Sequence, residues 1–206
     1  MYRTALIVAV ALLFGPLARA DEGMWTLGNF PSAAVKQKYG VDIAPSWLGR
    51  VQRSVTRHES GCTGSFISPD GLVLTNHHCV MECLSEISSA GNDYVANGYS
   101  ATQRSSEKKC PTEMLSVLMD TENITDKVNA ATAGLPDAKA NEVRKQTLSR
   151  LEAACTAAAA KDRKNGQLAC ESVTLYQGGQ YFLYKYKRYE DVRLVFAARC
   201  HRRIRR

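Results

Sequence analysis

Short apolar runs broken by turn signals characterise the first part of the chain. Residues 65–68 and 71–74 form two such runs on either side of a Pro-Asp pair, and Asp70-Gly71 is a dipeptide that favours tight turns between strands. The pattern predicts a β-hairpin in the glycine-rich region 21–100.

The period of the apolar positions becomes helical between residues 110 and 163. Apolar side chains recur there at helical spacing at Val143, Leu148, Leu151, Ala154 and Cys155. The alanine run 157–160 favours helix, and Asp137, which follows a proline, is a plausible N-cap. We therefore expect a helical excursion over about 110–163.

Strand signals return in residues 173–198. Tyr184 and Tyr186 alternate with lysines, Leu194 continues an alternating run, and Gly178-Gly179 supplies a turn. Strands followed by a helical insertion and then more strands indicate an antiparallel sheet and not a parallel α/β sheet. The predicted fold is mainly β with a helical insertion.

The first twenty residues have the features of a secretory signal peptide. Arg3 provides a positive start, residues 5–14 are apolar, and Ala18-Arg19-Ala20 is a small-x-small cleavage site. The apolar stretch is too short to cross a bilayer, which needs about twenty residues. We expect cleavage after Ala20 and a periplasmic or secreted product without a membrane anchor.

Composition and charge exclude several classes of protein. A chain of 206 residues with 45% hydrophobic and 23% charged residues is typical of a globular protein. The formal net charge is +7, but the excess arises from arginines in residues 1–20 and 199–206. The region 21–198 is electrically balanced, so we expect no nucleic-acid binding.

The cysteine content agrees with export. The chain has seven cysteines, and in an oxidising compartment most would form disulfides. Cys200 lies in the arginine-rich segment 199–206, which leaves six others: Cys62, Cys79, Cys83, Cys110, Cys155 and Cys170.

The most informative stretch is 61–79, with the sequence Gly-Cys-Thr-Gly-Ser-Phe-Ile-Ser-Pro-Asp-Gly-Leu-Val-Leu-Thr-Asn-His-His-Cys. It resembles the hairpin that carries the general base in chymotrypsin-like serine peptidases. Matching Thr-x-x-His-Cys makes His78 the base, while His77 receives no role. The resemblance also implies a Cys62–Cys79 disulfide that closes the histidine loop. Proximity in sequence and elimination then suggest Cys83–Cys110 and Cys155–Cys170, with Cys200 free.

Further motifs narrow the resemblance to one family. They are Asp21-Glu22-Gly23-Met24-Trp25, Asn29-Phe30-Pro31, Tyr39-Gly40-Val41 and the histidine motif itself. Together they resemble bacterial exported dipeptidyl-peptidases of serine peptidase family 46, the dipeptidyl-peptidase 7 and 11 group. The resemblance implies a chymotrypsin-like double β-barrel with a helical domain, which releases dipeptides from peptides with a free N-terminus. It implies no cofactor and no metal, and a full-length parent that forms a homodimer.

The chain departs from that family in its length. Family members are several times longer and carry the triad aspartate and serine beyond the last strand of this chain. We therefore interpret residues 21–198 as the N-terminal part of the catalytic domain and 199–206 as a basic tail foreign to the family. A truncated chain that lacks both triad partners should be inactive alone.

Two other functions stay open at this point. The chain could be a secreted, disulfide-stabilised binding module without catalysis. His77, His78, Cys79 and Cys83 could instead hold zinc, since imidazole and thiolate are its preferred ligands. Oxidised cysteines argue against the zinc site, because a disulfide leaves no thiolate.

Overall fold

The computed structural model describes residues 23, 25–160 and 167–199. The chain falls into two compact units, one up to Asp42 and one from Ile43 onward. The predicted signal peptide, Cys200 and the predicted tail from residue 200 lie outside the described residues, as does 161–163 of the predicted helical excursion. None of the described helices has the length and apolar character needed to span a membrane.

The first unit contains a single turn of 3-10 helix, Leu27–Asn29, and helix α1, Ser32–Tyr39. Neither element buries a side chain. Helix α1 ends at Gly40, whose φ of 69° is left-handed and whose N–H donates to the carbonyl of Lys36. Glycine adopts this conformation without strain, so the Tyr-Gly-Val motif marks a helix end.

The second unit is organised around an antiparallel sheet. Its described strands are β1 (Val55–His58), β2 (Thr63–Phe66), β3 (Val73–Thr75), β4 (Tyr99–Ser100), β5 (Lys108–Lys109), β6 (Leu115–Asn123), β7 (Gln167–Leu175), β8 (Gln180–Tyr189), β9 (Arg193–Leu194) and β10 (Phe196–Ala197). Six of them form one open sheet in the order β3-β2-β1-β6-β8-β7, while β4 pairs with β10 and β5 with β9. All these pairs are antiparallel, which confirms the predicted sheet type.

The second unit also contains helices. They are α2 (Pro45–Ser54), α3 (Met81–Ile87), α4 (Tyr94–Asn97), α5 (Thr125–Thr132) and α6 (Asp137–Ala159). The predicted helical face is confirmed for Leu148, Leu151 and Cys155 of α6, which pack on a buried cluster formed by α5, β7 and β8, whereas Ala154 is exposed. A second cluster joins α3 to β9 and β10 through Leu84, Leu194 and Ala197. Burying such apolar side chains is the main stabilising contribution to the fold.

Three disulfides join the pairs that the sequence suggests. They are Cys62–Cys79, Cys83–Cys110 and Cys155–Cys170, with Cα atoms 5.9, 5.0 and 5.9 Å apart. The first closes the histidine loop, the second ties α3 to the chain that precedes β6, and the third fixes the end of α6 to β7. Each bridge therefore holds together two segments that follow one another closely in the sequence.

Two sequence-based boundaries are wrong. Residues 115–123 were assigned to the helical excursion, but they form β6, which pairs with β1 and β8 near the centre of the sheet. A central strand is covered on both faces, so Leu115 and Val117 are buried together with the intervening Ser116 and no alternation is visible. Asp137 is the first residue of α6, and the N-cap position belongs to Pro136.

Candidate histidine site

The predicted hairpin positions the candidate site. Strands β2 and β3 pair with Ser65 opposite Leu74, and the Ile67 N–H donates to the Leu72 carbonyl at 2.9 Å. Gly71 has a φ of 87°, a left-handed conformation that glycine adopts without strain. The turn predicted from Asp-Gly is confirmed, and it returns the chain directly to the side of β2.

A short 3-10 helix, His77–Val80, follows β3 and carries both histidines. The Cys79 N–H donates to the Asn76 carbonyl at 3.0 Å and closes the turn. Cys79 is buried, His77 is half-buried and His78 is exposed. The buried cysteine and its disulfide to Cys62 therefore anchor the turn, while the adjacent imidazole faces solvent.

His78 is the more accessible of the two histidines. A ring nitrogen of His78 and the sulfurs of Cys62 and Cys79 all lie within 4.8 Å of one another. Within the described ranges, the His78 ring has no hydrogen-bond or ion-pair partner. An exposed imidazole whose nitrogens are free can accept a proton from a hydroxyl group brought against it.

His77 has a different environment. Its Nε2 lies 3.1 Å from the carbonyl oxygen of Ala198, just beyond β10. Because a carbonyl only accepts, Nε2 must carry the proton in this contact. The two neighbouring histidines thus differ in their hydrogen bonding and exposure, and the choice of His78 as the base stays a prediction.

The alternative zinc ligands do not fit a metal site. Cys79 and Cys83 are each engaged in a disulfide, and so is Cys62 beside His78. Zinc binds thiolates, and an oxidised sulfur offers none. The donor set found beside the histidines is therefore unsuited to zinc in this form of the protein.

The sequence did not reveal a buried histidine on β1. The His58 side chain is 3% exposed, and its Nδ1 lies 3.2 Å from Oε1 of Glu113, whose side chain is 11% exposed. His58 Nε2 is buried without a hydrogen-bond partner. Glu113 also lines a cleft of about 230 Å³ with Glu59, Ser60, Glu82, Cys83 and Thr112, and His78 does not contribute to it. No sequence signal links His58 with Glu113, because they lie 55 positions apart.

A second interaction that the sequence does not predict joins β1 to β7, two strands that are separated in the sheet by β6 and β8. Arg57 on β1 donates two hydrogen bonds to the carboxylate of Glu171 on β7, at 2.9 and 2.5 Å, and its guanidinium lies 4.5 Å from the centre of the Tyr186 ring. The hydrogen bond to Glu171 raises the pKa of Arg57. Burial raises the pKa of the Tyr184 and Tyr186 phenols on the intervening strand β8.

The chain is similar to known bacterial peptidases over most of its length. A family model described as Peptidase S46 matches residues 20–200. Dipeptidyl-peptidase 7 of Capnocytophaga gingivalis is 25% identical over 199 residues, which are 93% of this chain and 27% of that relative. An Asp/Glu-specific dipeptidyl-peptidase of Shewanella putrefaciens is 31% identical over 200 residues, which are 95% of this chain and 26% of that relative.

Solved structures show a similar fold. The crystal structure of Porphyromonas endodontalis DPP11 in complex with the dipeptide Arg-Glu matches with a TM-score of 0.71 and 24% identity, covering 87% of this chain and 26% of that chain. A second structure, of the same protein with the dipeptide Arg-Asp, has a TM-score of 0.68 and 22% identity, covering 87% and 26%. The chain thus spans about a quarter of the length of the proteins it matches.

Proposed function

Because the chain belongs to the peptidase S46 family, we propose that it is the N-terminal part of a serine dipeptidyl-peptidase in which His78 is the general base. The full-length parent would hydrolyse the second peptide bond of peptides with a free N-terminus. One observation carries the proposal: an exposed imidazole follows a hairpin inside the family match, on a turn fastened by the Cys62–Cys79 disulfide.

The mechanism requires two groups from outside the described residues. In a serine peptidase, the histidine takes the proton of the serine hydroxyl, and a carboxylate holds the correct imidazole tautomer. Neither a hydroxyl nor a carboxylate is hydrogen-bonded to His78 within the described ranges. The nearby Thr75 hydroxyl already donates to the Thr63 carbonyl at 2.8 Å. We propose that a second β-barrel, beyond these residues, brings the serine, the aspartate and the oxyanion-hole amides.

Exposed apolar side chains on the histidine hairpin support this arrangement. Ile67, Leu72 and Leu74 are 56%, 41% and 63% exposed, and β3 is an edge strand of the open sheet. In the proposal, the second barrel covers this hairpin. The chain made alone should therefore self-associate, because contiguous apolar surface and an unpaired strand edge both promote aggregation.

The proposed location follows from the sequence and the disulfides. We propose that the signal peptide is removed after Ala20 and that the protein acts in the periplasm or outside the cell. Three disulfides in the described chain suit an oxidising compartment. The proposed substrates are peptides, and the parent is proposed to act as a homodimer.

The proposal can be tested with chromogenic dipeptide amides. Residues 21–206 alone should give no turnover, since no nucleophile is hydrogen-bonded to His78 in the part of the chain that the structure describes. The gene should then be expressed with its downstream reading frames, and His78→Ala should lower kcat by about 10⁴-fold or more with a smaller effect on KM. Turnover by residues 21–206 that disappears in His78→Ala would refute the fragment proposal. A parent without peptidase activity would instead favour the secreted binding module.

A further inference from the structure

We propose that His77 is a positioning residue that holds the turn of His78 against the chain beyond β10. The inference rests on the proposed role of His78 as a base. The ring nitrogens of His78 make no hydrogen bond or ion pair within the described chain, so the placement of His78 depends on its neighbours in the turn. A catalytic group needs placement within about 0.5 Å, which requires support from surrounding contacts.

The turn is attached to the rest of the chain on both sides of His78. On one side, Cys79 is buried and bonded to Cys62 at the start of β2. On the other side, the His77 Nε2–H donates to the Ala198 carbonyl at 3.1 Å. The disulfide ties the turn to its own hairpin, whereas the His77 contact spans 121 positions of sequence. Val80, the last residue of the turn, also packs on the buried cluster that contains Leu194 and Ala197, so the His77 hydrogen bond adds a directional contact to this apolar one.

The acceptor of this hydrogen bond is itself held in place. Phe196 and Ala197 pair with β4, and the Ala101 N–H donates to the Val195 carbonyl at 2.8 Å. Gly98 approaches this segment so closely that a Cβ atom there would lie 2.5 Å from the Ala197 carbonyl oxygen and 2.9 Å from the carbonyl carbon of Ala198. The Ala198 carbonyl thus follows directly after a paired strand, and the backbone at Ala198 is approached closely by Gly98.

The geometry also explains why a histidine occupies position 77. A donor that reaches a backbone carbonyl through Nε2 keeps that nitrogen protonated in both the neutral and the charged ring. The contact is therefore independent of the proton that His78 must gain and lose during catalysis. Leucine would fill similar space without a donor, while glutamine would keep a donor on a flexible chain.

The inference can be tested by hydrogen exchange and NMR on isotope-labelled residues 21–206, at a concentration at which light scattering shows a monomer. The Cys79 amide reports on the turn, since it donates to the Asn76 carbonyl, and the Ile124 amide, which donates to the Tyr181 carbonyl at 2.9 Å, reports on the distant core. In His77→Leu, Cys79 should exchange about fivefold faster, as expected for one lost hydrogen bond, while Ile124 is unchanged. Overhauser effects from the His78 ring to the Cys62 side chain should weaken.

Two further variants make the result decisive. His77→Gln should restore the wild-type protection factor at Cys79, and His78→Leu should leave that factor unchanged, because the His78 ring makes no hydrogen bond within the described residues. Cys79 exchange within twofold of wild type in His77→Leu would overturn the proposal, as would equal losses in His77→Gln and His77→Leu. None of these measurements requires catalysis. The proposed function has a separate test: a parent enzyme whose activity is unchanged by His78→Ala would refute it, whatever the exchange measurements show.

Discussion

Replacing Gly64 by alanine should destabilise the histidine hairpin through steric overlap. Gly64 lies on β2, between β1 and β3, and a Cβ atom there would lie 2.8 Å from Thr56 Oγ1, 2.8 Å from Val73 Cγ1 and 3.1 Å from the Leu74 carbonyl oxygen. Favourable contacts between heavy atoms lie at about 3.5–4.0 Å, so the new methyl group overlaps three neighbours at once.

The neighbours of Gly64 have little freedom to move. Thr56 is 0% exposed, and the third contact is made by backbone. Overpacking of this kind costs about 1–3 kcal/mol, so we expect a loss of about 2 kcal/mol in the free energy of unfolding. For a domain of this size, that loss corresponds to a fall in Tm of about 4–8 °C.

Urea unfolding followed by circular dichroism measures this loss, with Gly91→Ala as the matched control. A Cβ atom at Gly91 meets nothing within 4 Å, so the control should be neutral or more stable by up to about 1 kcal/mol. Combining Gly64→Ala with Val73→Ala removes one overlap and should recover part of the loss relative to Val73→Ala alone. Equal stability of the Gly64→Ala and Gly91→Ala proteins would refute the steric argument.

Three further variants test other contacts of the sheet. Glu171→Gln removes a partly exposed carboxylate from Arg57 and should cost about 1 kcal/mol in urea unfolding, less at high salt; an unchanged midpoint would contradict this expectation. Burial raises the pKa of Tyr186, so the folded state holds the phenol proton more tightly, and the resulting stability is present below about pH 10 and lost as pH rises through the folded-state value. Tyr186→Phe should therefore reduce the fall in stability between pH 9 and pH 11, and an identical fall would contradict the assignment. Replacing both Cys62 and Cys79 by alanine opens a loop of 17 positions and should cost about 3 kcal/mol, whereas a loss below about 1 kcal/mol would show that the loop is closed by other contacts.

The sequence was informative wherever the signal was local. The Asp70-Gly71 turn lies between two short apolar runs, and the same two residues determine the hairpin in the structure. The apolar face of α6 follows in the same way from three- and four-residue spacing. Local periodicity and turn chemistry are properties of a few adjacent residues, which is why a single sequence can reveal them.

Strand β6 was missed because its pattern is not periodic. Its first three residues are all buried, and the register with β8 shifts between Leu118 and Asp120, which breaks the two-residue alternation. The contacts of His58, His77 and Arg57 were missed for another reason: their partners lie 55, 121 and 114 positions away. Such contacts depend on how the sheet brings distant segments together, and no local signal records them.

The order of the three disulfides along the chain has a consequence for biosynthesis. Each bridge joins a cysteine to the next one in sequence, at separations of 17, 27 and 15 residues, and no closed loop contains or interlocks with another. Six cysteines can be paired completely in fifteen ways. The observed pairing is the one expected when the polypeptide emerges N-terminus first and each new cysteine is oxidised with the unpaired cysteine before it. A thiol oxidase that acts during translocation would thus produce the native bridges without a disulfide isomerase, and reduced chain supplied with oxidase alone should regain them.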